Sequence, residues 1–229
     1  MEEEMFETEN KKVITEEDVE KLVEGLESES TKDYWEEHAL RKHIYLNENG
    51  EKYIRILKTD FPATPFLPQR YENNEWITGT KGLTYIPYKL PDLRKAVKED
   101  KVIFITNGEK DADTLEQLGF YATTAPFKIP TKWNYECNKY IQGATIVVIK
   151  EPSEYGIEFS NETLRRLKYS AKKADCLSLE KVCNILNIEV NEKTDITEIR
   201  NNFNNDEELI KLLHHVENLM KKMKVGVRV

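Results

Sequence analysis

The sequence predicts an α/β fold: a parallel sheet flanked by helices, with a β-rich segment before it and helices after it. Three observations lead there. The runs at 102–106 and 145–149 are apolar without polar alternation, which suits strands buried on both faces. Helical periodicity separates such runs, and strand–helix–strand repetition favours parallel pairing. Beyond Ser178, apolar residues recur mainly at helical spacing.

The elements follow in order. Residues 1–14 are acidic and poor in apolar side chains, the composition of a disordered tail. Thr15 then caps a short helix in which Val19, Leu22, Val23 and Leu26 share a face. Tail and helix fill 1–30, with a linker at 27–31. Residues 31–99 form the β-rich segment. His43-Ile-Tyr-Leu46 and Lys52-Tyr-Ile-Arg-Ile-Leu57 flank a turn at Asn47-Glu-Asn-Gly50, the pattern of a hairpin. Pro62, Pro65 and Pro68 predict a loop, and 71–77 another strand around Asn73 and Asn74. Asp92 is placed to cap a helix at 93–98.

Residues 100–205 carry the alternating α/β pattern. A strand at 102–106 leads to a helix at 111–118 that Gly119 stops, then to a strand at 120–123. A loop containing Pro126, Pro130 and Trp133 precedes the strand at 145–149. Ser160 is read as the cap of a helix reaching Lys173, followed by a strand at 174–177. Helices then start at Ser178 and Asp195. A last helix, at 206–229, aligns Leu209, Leu212, Leu213, Val216, Leu219 and Met220 on one face.

Bulk composition excludes several classes. No apolar run approaches the roughly 20 residues that cross a bilayer, and Met1-Glu-Glu-Glu-Met5 does not open a signal peptide. The expected location is the cytoplasm, away from membranes. Cys137, Cys176 and Cys183 form no CxxC pair, against both a disulfide framework and a zinc ribbon. His38, His43, His214 and His215 lack metal-ligand spacing, and no Walker-type Gly-Lys-Ser/Thr loop is present. A net charge of −8 argues against a general nucleic-acid coat but leaves room for a local basic groove. Arg165-Arg-Leu-Lys168 with Lys172 and Lys173 is one such basic segment; a solvated helix face is its simpler reading. Trp76, Tyr85, Tyr88 and Trp133 are aromatic residues that stack bases or simply pack.

The chemistry-bearing segment follows the first buried strand. Sites of open parallel sheets form at the carboxyl ends of the strands, where Thr106-Asn-Gly-Glu109 falls. Glu109, Asp111 and Asp113 place three carboxylates within five residues, the oxygen ligands that Mg²⁺ takes. Asp111 equally suits a helix cap, and Asp113 the positive end of the helix.

Phe104-Ile-Thr-Asn-Gly-Glu-Lys-Asp-Ala-Asp-Thr-Leu-Glu-Gln-Leu-Gly119, followed by Ala122-Thr-Thr124, resembles the start of the TOPRIM domain in primase-like proteins of phages, plasmids and other mobile elements. Upstream, Arg70-Tyr-Glu-Asn-Asn-Glu-Trp76, Lys81-Gly-Leu83 and Tyr88-Lys-Leu-Pro91 extend the resemblance. Downstream, Trp133, Tyr140-Ile-Gln-Gly-Ala144 and Ile146-Val-Val-Ile149 follow in the family's order. It spans about residues 43 to 210.

The resemblance implies that Glu109 matches the TOPRIM glutamate, a metal ligand or general acid/base. The family's later Asp-x-Asp pair is altered: Lys150-Glu-Pro-Ser-Glu-Tyr-Gly156 puts Glu151 on the first Asp, Ser153 on the second and Gly156 on the glycine. Lys150 adds a positive charge that opposes cation binding. Lys193-Thr-Asp195 resembles a later Asp motif, so Asp195 is a third metal-ligand candidate as well as a plain helix cap.

The expected function is a primase-related TOPRIM protein that acts on or binds DNA, single-stranded or primer-template, with a reduced or lost metal site. If it is active, Glu109, Glu151 and Asp195 hold Mg²⁺ or Mn²⁺, with Lys110 and Lys150 as nucleic-acid contacts. Two alternatives stand beside it: a non-catalytic module binding a replication or defence protein, and a metal-dependent TOPRIM nuclease.

Overall fold

The structure, a computed structural model, describes residues 35–125 and 133–227. The acidic tail and short helix read at 1–30, the linker at 27–31 and the loop prolines Pro126 and Pro130 lie outside the described residues.

Two sheets form. The first has four strands in the order β1-β2-β3-β4: β1 (Ala39–Leu46), β2 (Lys52–Thr59), β3 (Phe66–Glu72) and β4 (Glu75–Thr78). The β1–β2 turn closes because the Asn47 side chain accepts from the Asn49 and Glu51 amides at 2.9 and 3.0 Å. The expected single strand at 71–77 is instead a hairpin. Tyr71 lies opposite Trp76, and Asn73 and Asn74 both take positive φ, 51° and 65°, as a two-residue turn between twisted strands requires. The expected proline loop also ends early. Pro68 lies within β3 and gives its carbonyl to the Gly79 amide at 2.8 Å, a role that needs no N–H.

The second sheet has five strands, all parallel, in the order β6-β5-β7-β8-β9. Its members are β5 (Val102–Ile105), β6 (Tyr121–Thr123), β7 (Thr145–Lys150), β8 (Lys173–Ser178) and β9 (Gly226–Val227). Every residue of β5 is buried, as the unbroken apolar run demands. The two-residue β9 is too short to leave a pattern in the sequence, yet it pairs with Lys173 and Ala174.

Helices flank this sheet. α1 (Leu90–Lys98) starts before the expected 93: Lys89 takes a left-handed conformation and Pro91 sits in the first turn, so Asp92 is inside the helix. α2 (Glu109–Gln117) starts at the carboxylates themselves, with Gly108 as an extended cap residue, and Gly119 ends it at φ 92°. Asp111 is therefore not its cap.

The largest correction is α3 (Glu154–Leu167), expected from Ser160. Ser153 is the cap, its hydroxyl accepting from the Gly156 amide at 3.0 Å, while Ser160 is buried in the helix and donates to the Ile157 carbonyl. Gly156 masked the start, since glycine is a weak helix former. It is required because a Cβ there would lie 2.5 Å from Glu151 Cβ. α4 (Leu179–Leu186) and α5 (Ile196–Phe203) are capped by Ser178 and Asp195 as expected, and α6 (Asp206–Lys222) by Asn205.

The core gathers Phe104, Ile105, Leu115, Trp133, Ile146 and Ile149. By contacts the chain divides into two compact units: residues up to Arg41 with Leu57–Leu67, and Lys42–Ile56 with Pro68–Val229. In the first, Trp35 packs edge-on against Phe61 and Thr59 donates its hydroxyl to the Thr64 carbonyl. Everything below concerns the second. Among the described residues no helix is long and apolar enough to cross a membrane.

Candidate functional site at the carboxyl ends of the parallel strands

The loop after β5 is built by threonines. Thr106 donates its hydroxyl to the Gly108 carbonyl at 2.8 Å. Thr124 donates to the Thr106 carbonyl at 2.8 Å, and Thr123 to the Tyr88 carbonyl at 2.6 Å. The Ala122-Thr-Thr124 run therefore has a local physical purpose: two buried hydroxyls fix the segment that delivers Asn107 and Glu109.

Glu109, Asp111 and Asp113 do not converge. Helical geometry turns 100° per residue, so the central carboxylate points away from its two neighbours. Glu109 accepts from the hydroxyl of fully buried Tyr45 at 2.7 Å. Burial, and then the charge of Glu109, hold the Tyr45 phenol well above its ordinary pKa. Asp113 faces His43, Lys89 and Tyr88 at 3.3, 2.8 and 3.0 Å. Burial alone would raise its carboxyl, but these donors outweigh it and hold Asp113 below the usual range. Lys89 also reaches Glu116 at 2.6 Å.

Asp111 is buried, 3% exposed, and turns toward the start of α5. It accepts from the Thr197 hydroxyl at 2.6 Å and the Thr197 amide at 3.2 Å. Thr197 in turn meets Thr114 at 2.7 Å. Burial, followed by the negative charge of Asp195, pushes the Asp111 carboxyl up to about 7.

The remaining candidates lie around it. Glu151, just past β7, accepts from the Asn107 side-chain amide at 3.0 Å, tying the ends of β5 and β7 together. Asp195 caps α5 through the Glu198 amide at 2.8 Å and pairs its other oxygen with the Lys110 ammonium. Lys110 is thus directed at an acid rather than at solvent. Lys150 ends β7, half-buried, in register with Ser178. The Ser153 hydroxyl is committed to capping α3.

Oxygen chemistry of this kind suits Mg²⁺ or Mn²⁺, and each acid already has a protein partner. One oxygen of Glu109 accepts from a phenol, one of Glu151 from an amide, and Asp195 pairs with an ammonium. Among the described residues no three His, Cys, Asp or Glu side chains gather as a metal-holding group. Lys110 supplies the positive charge that the acids at this end require.

Sequence reasoning missed Tyr45, His43, Lys89, Asn107 and Thr197. His43 and Tyr45 share one face of β1 by the two-residue strand period, a legible signal. Their partners, Asp113 and Glu109, lie too far along the chain for any local pattern to pair them. No family model, no curated protein and no solved structure matches the chain.

Proposed function

We propose that the chain is a primase-related, TOPRIM-like protein that binds DNA without metal-dependent chemistry. The observation that carries this reading is the Lys110–Asp195 pair at the carboxyl ends of the parallel strands. There, a protein cation occupies the acid that the resemblance assigns to a metal. The hydrogen bonds from Tyr45 to Glu109 and from Asn107 to Glu151 support the same reading. A metal ion for phosphoryl transfer or strand cleavage would have to compete with Lys110 for Asp195, which supports binding without that chemistry. Binding is what the scaffold retains, and Lys150 at the β7 end is its cation at this edge.

The test uses fluorescence anisotropy with labelled single-stranded DNA and primer-template, with and without Mn²⁺, followed by denaturing gels. The proposal expects salt-sensitive binding that Mn²⁺ leaves unchanged, and no new products. Cleavage or primer extension lost in Glu109→Gln would overturn it in favour of an enzyme. Failure to bind either DNA would overturn it in favour of a protein-interaction module.

A further inference from the structure

The basic segment after Leu164 acquires a second component in three dimensions. α3 ends at Leu167, and its last turn carries Arg165 and Arg166, with Lys168 and Tyr169 following. Against it lies a 3₁₀ turn, Tyr135–Tyr140. Two hydrogen bonds lock the pieces: Asn138 donates to the Arg166 carbonyl at 2.9 Å, and Arg166 donates to the Trp133 carbonyl at 2.8 Å. Fully buried Trp133 anchors the turn, its indole N–H donating to Asn138 at 2.8 Å. The Gly143 amide bonds the Ser170 carbonyl at 2.8 Å, joining the two segments again just before β7 and β8 begin.

This surface presents aromatic rings beside cations. Tyr135 is 54% exposed with the Arg166 guanidinium over its ring at 4.7 Å. Tyr169 is 87% exposed with the Lys168 ammonium 5.7 Å from its centroid. Lys139 sits 4.7 Å over Tyr140, and Arg165 is open to solvent beside them. Three acids intervene, Glu48 among them through its hydrogen bond with the Tyr140 hydroxyl. Glu162 pairs with Arg165 and lies within 3.7 Å of Arg166, and Glu136 accepts from the Tyr85 amide at 2.9 Å. The core has no use for Tyr169, which has almost its whole ring in water.

We infer that this tyrosine–cation surface, formed by Tyr135, Lys139, Arg165, Lys168 and Tyr169 at the amino ends of the strands, is a docking surface for single-stranded nucleic acid. Bases of any sequence stack on exposed rings, and neighbouring cations track the phosphates. Duplex hides its base faces and gains only the phosphate contacts. An acidic protein would use the cations but not the rings. The surface is separate from Glu109 and its neighbours, and the inference rests on the nucleic-acid reading above.

The experiment is an anisotropy titration of the full chain with labelled oligothymidylate, with duplex DNA and polyglutamate as competitors. Tyr135→Ala and Tyr169→Ala each weaken oligothymidylate binding roughly 5- to 100-fold, while Tyr135→Phe and Tyr169→Phe retain it. Arg165→Gln and Lys168→Gln each flatten the dependence of log affinity on log salt by about 0.7. Both tyrosines are exposed, so their loss leaves the fold intact, as circular dichroism would verify. Wild-type affinity in the alanine variants, with oligothymidylate still bound, would overturn this inference and leave the proposed function standing. No binding by the wild type would overturn both. Competition by polyglutamate as strong as by oligothymidylate would overturn the surface's assignment and mark an acidic protein as its partner.

Discussion

The two ends of the parallel sheet treat their charged side chains in opposite ways. At the carboxyl ends, Glu109, Asp111, Glu151 and Asp195 turn toward donors from β1, α2, α5 and the loop after β5. At the amino ends, Lys139, Arg165 and Lys168 remain exposed, beside tyrosines that are exposed too. The first end has the residue types of a catalyst, satisfied from within the protein. The second has ordinary surface residue types that stay in solvent, Arg165 included although it pairs with Glu162. Residue chemistry draws attention to the first end, and accessibility draws it to the second.

The largest effect should come from undoing the anchor of the amino-end surface. Trp133→Ala removes a fully buried indole and its bond to Asn138, and should cost about 3–5 kcal/mol in urea unfolding. A much smaller loss would mean that the turn is held elsewhere and that its ring–cation geometry is not built in. Next comes Lys110→Ala, which leaves Asp195 facing Asp111 without a cation. The pair is partly solvent-exposed, so the expected cost is about 1–3 kcal/mol after allowance for screening. The same variant should gain affinity for Mn²⁺, because Asp195 then lacks its protein cation. Stability and Mn²⁺ affinity both unchanged would show that Lys110 does not serve this end. Tyr45→Phe deletes the donor to Glu109 without opening a cavity and should cost about 1–2 kcal/mol.

The last effect is read as a slope with pH rather than as a single loss. Burial and Asp195 raise the Asp111 carboxyl to about 7 in the folded protein, against roughly 4 when unfolded. Between those values the folded state holds a proton that the unfolded state has released. Asp111 therefore contributes a decline in stability as pH rises from about 4 to about 7. Asp111→Asn keeps the acceptor for Thr197 and cannot ionise, so its unfolding free energy should lose that part of the decline. Parallel wild-type and variant curves would contradict the assignment.

The α/β class and the parallel sheet were legible because β5 and β7 are uninterrupted apolar runs and helical periods lie between the strands. Caps were legible where a side chain does the work, as at Ser178 and Asp195. They were hidden at α2, where Gly108 caps without a side chain, and at α3, where Gly156 breaks the helical pattern in order to pass Glu151. The site was legible only in part. Glu109 and Lys110 stand out by their place after the first buried strand, while Glu151 and Asp195 became candidates only through the TOPRIM resemblance. What each faces depends on contacts such as Tyr45 with Glu109, 64 positions apart, which no local pattern encodes. The tyrosine–cation surface was half visible, as a basic helix end; its rings come partly from a separate 3₁₀ turn.

The most direct test is a calorimetric titration of Mn²⁺ into the wild-type protein and into Glu109→Gln. The predicted result is no binding in either, because protein donors already hold the acids. Binding in the wild type near or below ~100 µM that disappears in Glu109→Gln would contradict the account and restore a metal-dependent site.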